Sequence, residues 1–130
     1  MVLVAHIVKK NPVTVEPSTS LRSVASVMRS RNVGSVLIVG DTGRLMGIFT
    51  ERDLVRAVSD NIDLDSARVE EYMSREPIVA KPEDSIVSAA HKMVHHGIRH
   101  LPVVDDGGRL IGVVSMRDVL RHLLAENEFP

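Results

Sequence analysis

The chain carries one seven-residue pattern twice, as Gly47-Ile48-Phe49-Thr50-Glu51-Arg52-Asp53 and as Gly112-Val113-Val114-Ser115-Met116-Arg117-Asp118. Each copy reads as a short apolar strand that meets a hydroxyl residue and then turns into a helix. Thr50 and Ser115 stand at the helix N-cap, and an acidic residue follows each of them three positions later, which is close to a capping box. A helix start is therefore one interpretation of either copy.

The same strand-to-helix turn also has the chemistry of a nucleotide site. The first N–H groups of a helix are unpaired and favour an anionic group. A carboxylate such as that of Asp53 or Asp118 can accept hydrogen bonds from two vicinal hydroxyls, as the acidic residue on the ribose does in dinucleotide-binding folds. The pattern thus indicates a ribose with a phosphate beside it as a candidate ligand.

The pattern belongs to a longer internal repeat. Shifted by 65 positions, the chain aligns with itself without a gap from Pro12, which falls on Pro77, to Arg56, which falls on Arg121. About a third of the aligned positions are identical, and most others keep their apolar or polar character. We predict two repeats, at residues 1–61 and 69–130, joined by a polar linker at 62–68.

Each repeat is predicted to run strand, helix, strand, strand, helix. Apolar residues at three-and-four spacing predict a first helix that ends at Asn32 in one repeat and at Gly97 in the other. Continuous apolar runs separated by turn residues then predict a hairpin. A half of about 60 residues buries too little surface to be stable alone. The predicted fold class is therefore α+β, with two βαββα repeats of α/β type packed sheet to sheet and related by pseudo-two-fold symmetry.

Composition excludes several classes of protein. The net charge is −1 and aromatic residues are 2% of the chain. Neither an anionic membrane nor a nucleic acid is therefore expected as a partner. The chain has no cysteine, which excludes disulfides, thiolate metal sites and cysteine nucleophiles. Since no apolar run approaches the roughly 20 residues of a membrane helix, we expect a soluble cytoplasmic protein.

Other polar clusters favour structural roles. His91 and His95 are four apart, but they lie opposite the apolar stripe of their helix, so a solvated surface is favoured over a metal site. Asp105 and Asp106 precede two glycines between apolar runs, which predicts a hairpin turn rather than a catalytic carboxylate pair. No His-acid partners for a hydroxyl nucleophile are evident, so we predict neither catalytic residues nor a metal, and no enzyme activity.

With these motifs in place, the chain resembles a tandem pair of cystathionine β-synthase (CBS) domains, also called a Bateman module. The resemblance covers nearly all of the sequence, from about Val4 to Leu124. It rests on the doubled Gly-to-Asp pattern, on Val33-Gly34-Ser35-Val36 and on Ile98-Arg99-His100-Leu101-Pro102-Val103-Val104-Asp105. It implies a stand-alone regulatory module without a further catalytic domain.

The resemblance also implies ligands and site residues. Such modules bind AMP, ADP or ATP, or S-adenosylmethionine, in clefts between the two repeats, and require no other cofactor. Acidic residues would hold the ribose hydroxyls, and apolar strand residues would enclose the adenine. Carried over to this chain, the first cleft comprises Thr50, Asp53, Ile78, Arg99, His100 and Arg117. The second comprises Val13, Gly34, Ser35, Arg52, Ser115 and Asp118.

The two implied clefts differ in charge. Arg99 and His100 stand where the first repeat has Gly34 and Ser35, so one cleft gains a guanidinium and an imidazole suited to phosphate. A charge-assisted contact of this kind contributes about 1.5–3 kcal/mol. We therefore hypothesise that the cleft containing Asp53 binds adenine nucleotides more tightly than the cleft containing Asp118.

Three functions follow as hypotheses. The first is an energy-sensing regulatory module that transmits nucleotide binding to an unknown partner protein and forms a homodimer through its helices, with Leu123 and Leu124 as exposed apolar residues. The second is an interaction or assembly protein whose clefts stay empty. The third, a small hydrolase or transferase acting on a nucleotide, is disfavoured because no paired catalytic set is evident.

Overall fold

The computed structural model describes residues 1–126 and contains two compact units. One unit is Pro12–Pro77, and the other combines Met1–Asn11 with the chain from Ile78 onward. Each unit therefore includes the segment that leads into the other sequence repeat. The predicted domains 1–61 and 69–130 follow the sequence duplication, whereas the compact units exchange these lead-in segments. Residues 127–130 lie outside the described part of the chain.

The unit Pro12–Pro77 is a four-stranded sheet with helices. Strand β2 (Ser35–Val39) pairs in parallel with β1 (Thr14–Val15) and antiparallel with β3 (Leu45–Thr50). Strand β3 also pairs antiparallel with β4 (Ser74–Arg75), giving the order β1-β2-β3-β4. The predicted βαββα order is confirmed, with a short helix and an edge strand added from the following segment. The elements are β1 (Thr14–Val15), α1 (Leu21–Arg31), β2 (Ser35–Val39), β3 (Leu45–Thr50), α2 (Glu51–Ser59), α3 (Val69–Tyr72) and β4 (Ser74–Arg75).

Helix α1 begins and ends at the residues that the sequence favours. The Ser20 hydroxyl caps it by accepting from the Ser23 amide at 3.1 Å, and Asn32 ends it in the left-handed conformation with φ of 53°. The segment predicted as a linker, 62–68, is an integral part of this unit. Its Ala67 is buried, and the Ala67 carbonyl accepts from the Leu21 amide at 3.0 Å. This segment therefore extends the core of the unit around α1.

The second unit repeats this plan with less regular edges. It contains a 3-10 helix (Val4–His6), α4 (Ile86–His96), β5 (His100–Val104), β6 (Leu110–Ser115) and α5 (Met116–Glu126). The antiparallel β5–β6 hairpin is flanked by single bridges. Ala80 bridges Val103 in parallel on one side, and Lys9 bridges Val113 antiparallel on the other. These bridges occupy the places that β1 and β4 occupy in the first unit.

The hairpin turn of the second unit confirms the interpretation of its acidic residues. One carboxylate oxygen of Asp105 accepts from the Gly107 and Arg109 amides, each at 2.9 Å. Gly108 adopts φ of 82°, a conformation that glycine reaches without steric cost. Asp105 is thus occupied in closing the turn.

Each unit has its own hydrophobic core. In the first, Leu21, Val24 and Phe49 are fully buried between helix and sheet. In the second, Val4 from the N-terminal segment is fully buried together with Leu101 and Val114. The N-terminal segment is therefore part of the core of the second unit.

The glycine that begins each copy of the repeated pattern lies where another backbone crosses closely. A Cβ on Gly47 would lie 2.7 Å from the Ser74 carbonyl oxygen, and a Cβ on Gly112 would lie 2.2 Å from that of Lys9. Only a residue without a side chain fits at either place. The first position of the pattern thus serves the docking of the exchanged segment.

Candidate functional site

The repeated pattern forms one strand-to-helix junction in each unit. In the first, Ser35 pairs with Thr50, and the Glu51 amide donates to the Gly34 carbonyl at 3.0 Å. We call the residues Gly34, Ser35 and Thr50–Asp53 the Asp53 junction. In the second, His100 pairs with Ser115, and the Met116 amide donates to the Arg99 carbonyl at 2.9 Å. We call the residues Arg99, His100 and Ser115–Asp118 the Asp118 junction.

At the Asp53 junction the carboxylate is used by the helix itself. Oδ2 of Asp53 accepts from the Thr50 amide at 2.9 Å and from the Thr50 hydroxyl at 3.1 Å. The Thr50 hydroxyl in turn accepts from the Asp53 amide at 3.3 Å. This reciprocal arrangement is a complete capping box. In this conformation Asp53 stabilises the start of α2.

At the Asp118 junction one oxygen of the carboxylate accepts no hydrogen bond. The Ser115 hydroxyl accepts from the Asp118 amide at 3.1 Å, as a helix cap does. The Asp118 side chain is only 10% exposed. Its Oδ2 is the single buried side-chain oxygen or nitrogen without a hydrogen-bond partner among the described residues. A buried acceptor left unpaired costs about 1–3 kcal/mol, and more when charged, so this oxygen has the character of a ligand-binding group.

Cations lie near both carboxylates. Lys9 Nζ is 3.6 Å from Oδ2 of Asp118, and Arg121 Nη1 is 3.5 Å from Oδ1. At the other junction, Arg56 Nη1 is 3.8 Å from Oδ1 of Asp53. All three basic side chains are mostly exposed, so these ion pairs contribute little to stability. The Asp118 junction therefore has the higher density of positive charge.

The pKa of the His100 imidazole is lowered at this junction. Loss of solvent around the ring lowers the pKa of His100, the positive charge of Arg99 lowers it further, and the Asp118 carboxylate opposes both effects. Because His100 pairs with Ser115, the imidazole and the Asp118 carboxylate belong to the same junction.

The remaining predicted residues flank the junctions. Arg52 and Arg117 are exposed on the first turns of α2 and α5. Val13 packs against the core of its unit, and its carbonyl accepts from the Leu37 amide at 3.0 Å. Ile78, its equivalent in the second repeat, is 37% exposed. These positions offer guanidinium groups and apolar surface around each junction.

The structure thus brings Arg99 and His100 together with Ser115 and Asp118, and it brings Gly34 and Ser35 together with Thr50 and Asp53. The groupings expected from the resemblance instead combined residues from both units. Those groupings stay predictions.

Sequence reasoning missed Lys9 and Arg121 as neighbours of Asp118. Arg121 lies three residues beyond Asp118 on α5, a spacing that places side chains on one helix face. Lys9 is distant in sequence and arrives through its bridge to Val113. Only the repeat offset, which aligns Lys9 with Ser74, hinted at this place.

Among residues 1–126, the histidines of α4 are not part of any group of three histidine, aspartate or glutamate side chains that could hold an ion. The rings of His95 and His96 meet edge to face, with centroids 4.8 Å apart. The described residues also include no helix that is long and apolar enough to cross a bilayer.

Comparison with known proteins places these junctions in context. Residues 4–60 and 69–125 each match the sequence pattern of the CBS domain. The uncharacterized protein MK0525 of Methanopyrus kandleri is 40% identical over 122 residues, which are 92% of this chain and 62% of that protein. The chain therefore spans less than two thirds of this relative's length.

Two solved structures resemble the whole fold. The CBS domain pair of protein MJ0100, crystallised with 5'-methylthioadenosine and S-adenosyl-L-methionine, is 31% identical with a TM-score of 0.84, over 98% of this chain and 99% of that one. The CBS domain protein PAE2072 of Pyrobaculum aerophilum, complexed with AMP, is 30% identical with a TM-score of 0.82, over 95% of this chain and 99% of that one. Both likenesses extend over two repeats.

Proposed function

The chain belongs to the CBS domain family, and on that premise we propose that it is a non-catalytic regulatory module that binds an adenine nucleotide at the Asp118 junction. The observation that carries the proposal is the buried Oδ2 of Asp118, which lacks a hydrogen-bond partner. The hydroxyls of a ribose would supply the missing donors. Such a hydrogen bond to a charged acceptor contributes about 1.5–3 kcal/mol.

The chemistry around Asp118 suits the rest of a nucleotide. Arg99 and His100 follow one another beside Ser115 and would offer donors to a phosphate. The relatives support an adenosyl ligand, because the solved structure of PAE2072 is complexed with AMP and that of the MJ0100 pair with two adenosyl compounds. An excess of cations favours AMP, ADP or ATP over S-adenosylmethionine, which carries a sulfonium charge.

For the relative affinity of the two junctions we propose the reverse of our hypothesis from sequence. The basic residues that motivated it, Arg99 and His100, lie in the unit of Asp118. At the other junction a ribose would have to displace the hydrogen bonds between Thr50 and Asp53, which cost about 1 kcal/mol to lose. We therefore propose that the Asp118 junction binds more tightly and that the Asp53 junction binds weakly.

A thermal melting screen tests the proposal directly. Ligands that bind only the folded state raise the melting temperature according to RT ln(1 + [L]/Kd). We expect stabilisation by millimolar AMP, ADP or ATP and a smaller effect of S-adenosylmethionine. The absence of a shift with all four would contradict the proposal and favour the alternative, an interaction or assembly protein that binds no nucleotide.

Calorimetric titration of AMP into two matched variants identifies the site. Asp118→Ala should weaken the tightest binding event at least about tenfold, which is 1.4 kcal/mol. Asp53→Ala removes the same charge from the equivalent position and should leave that event unchanged. Loss of the tight event in Asp53→Ala instead would restore the hypothesis drawn from sequence.

We further propose that the module works as a cytoplasmic homodimer that signals energy status to a partner protein. The cytoplasmic location is supported by the absence of cysteine. Dimerisation is supported by exposed apolar residues on the closing helices, namely Val55 and Val58 on α2 and Leu120 and Leu124 on α5. Light scattering of the wild type and of Leu124→Glu should show a dimer and a monomer respectively. A wild-type monomer at micromolar concentration would refute the dimer.

A further inference from the structure

The N-terminal segment places a cation near Oδ2 of Asp118, the only buried carboxylate oxygen without a hydrogen-bond partner among the described residues. Lys9 and Val113 form an antiparallel bridge, with N···O distances of 2.9 Å in both directions. This bridge fixes the Lys9 backbone at the edge of β6, and its ammonium reaches within 3.6 Å of Oδ2 of Asp118. That distance is an ion pair and exceeds an ordinary hydrogen bond, so Oδ2 remains without a donor.

The two ends of this ion pair have opposite surroundings. The Asp118 side chain is 10% exposed, whereas that of Lys9 is 67% exposed. The carboxylate is thus buried at the start of α5, whereas the ammonium lies in solvent on a flexible four-carbon stem.

The equivalent position in the other unit carries no charge. Ser74 bridges Ile48 there, as Lys9 bridges Val113, and both positions occupy the same place in the repeat. The equivalent carboxylate in that unit, that of Asp53, accepts two hydrogen bonds from Thr50 at Oδ2. The cation and the unsatisfied acceptor therefore occur together in one unit.

We propose that Lys9 sets the ligand specificity of the Asp118 junction, favouring adenosyl compounds that carry phosphate over those that are neutral or cationic. This inference rests on the proposed function. When ribose hydroxyls donate to Oδ2, the Lys9 ammonium turns from that oxygen to the phosphate, while Arg121 still pairs with Oδ1. For a neutral adenosyl ligand, the same ammonium only competes for the carboxylate. Lys9 thus aids one class of ligand and hinders the other.

Two probes separate these effects. Titration calorimetry of wild type and Lys9→Ala would use AMP, which carries phosphate, and 5'-methylthioadenosine, which is neutral. We expect Lys9→Ala to weaken AMP binding roughly twofold to fivefold, the range for a largely exposed charge contact, and to leave 5'-methylthioadenosine binding unchanged or tighter. Raising the salt concentration should reduce the difference between wild type and variant for AMP.

Matched variants guard against indirect effects. Lys10→Ala removes the same charge from the exposed neighbouring residue and should leave the ratio of the two affinities unchanged. Lys9→Arg keeps the charge and should retain the preference for AMP. An unchanged ratio of the AMP and 5'-methylthioadenosine affinities in Lys9→Ala would overturn the inference. If both affinities fell equally, Lys9 would only hold the segment in place. If the wild type binds neither probe, the proposed function itself fails.

Discussion

The amide of Thr50 donates to Oδ2 of Asp53 at 2.9 Å, whereas Oδ2 of Asp118 is buried without a hydrogen-bond partner. The two residues occupy the same place in a duplicated sequence. One carboxylate closes its own helix cap, and one oxygen of the other has no hydrogen-bond donor. The duplicated positions therefore differ in their hydrogen bonding.

The first prediction concerns the stability of two equivalent alanine variants. Asp53→Ala loses the return bonds of the capping box and should lower the free energy of unfolding by about 1 kcal/mol. Asp118→Ala loses a carboxylate whose buried oxygen is unsatisfied, so it should be less destabilising or even stabilising. Urea unfolding of both variants checks the order. Equal losses would show that Asp118 also acts mainly as a cap.

Much of the fold could be predicted from the sequence, because the patterns that determine helix ends and turns are local. Asn32 and Gly97 end helices through contacts within a few residues, and the structure places both at the predicted helix ends. The hairpin turn at Asp105 is also local, since its carboxylate accepts from amides two and four residues away. Such patterns determine local structure through nearby residues alone, so they can be recognised without knowing the rest of the fold.

The exchange of lead-in segments could not be predicted, because it depends on pairing between distant residues. Residue Lys9 bridges Val113, and Ser74 bridges Ile48, without any local pattern that selects these partners. Because of the same exchange, the segment 62–68, predicted as a linker, contributes to the core of the first unit. Its Ala67 is buried, and the Ala67 carbonyl accepts from the Leu21 amide of α1. The candidate site was affected as well, since the charge beside Asp118 comes partly from Lys9.

The second prediction tests the close approach at Gly112. A Cβ there would lie 2.2 Å from the Lys9 carbonyl oxygen, and the backbone cannot yield as a flexible side chain would. Gly112→Ala should therefore destabilise the protein by about 1–3 kcal/mol or displace the N-terminal segment. Gly107→Ala is the control, because its Cβ would meet only the Asp105 carboxylate at 3.4 Å. Thermal unfolding of both variants gives the comparison, and similar melting temperatures would contradict the close approach.

The third prediction tests whether the N-terminal segment is part of a core. Val4 is fully buried, and its amide donates to the Asp84 carbonyl at 2.7 Å. Val4→Ala should lower the free energy of unfolding by about 1–3 kcal/mol, because it removes buried methyl groups and leaves a cavity. Val94→Ala is the matched control, since Val94 is 73% exposed on α4 and alanine favours helix. A loss confined to Val94→Ala would mean that the segment does not pack as described.

The fourth prediction concerns the pH dependence of stability through His100. Its pKa in the folded protein lies below the ordinary value of 6.5, mainly because the ring is partly removed from solvent. Between the lowered pKa and 6.5, the unfolded chain binds more protons at this residue than the folded protein, so stability falls as the pH decreases through that window. His100→Gln removes this contribution, and the wild type should lose stability relative to the variant on acidification from pH 7. Urea unfolding of both proteins across this range, with His91→Gln as a control on the exposed face of α4, checks the slope. Parallel curves for wild type and His100→Gln would contradict the assigned shift. A wild type that gains stability relative to His100→Gln on acidification would show that the pKa is raised instead.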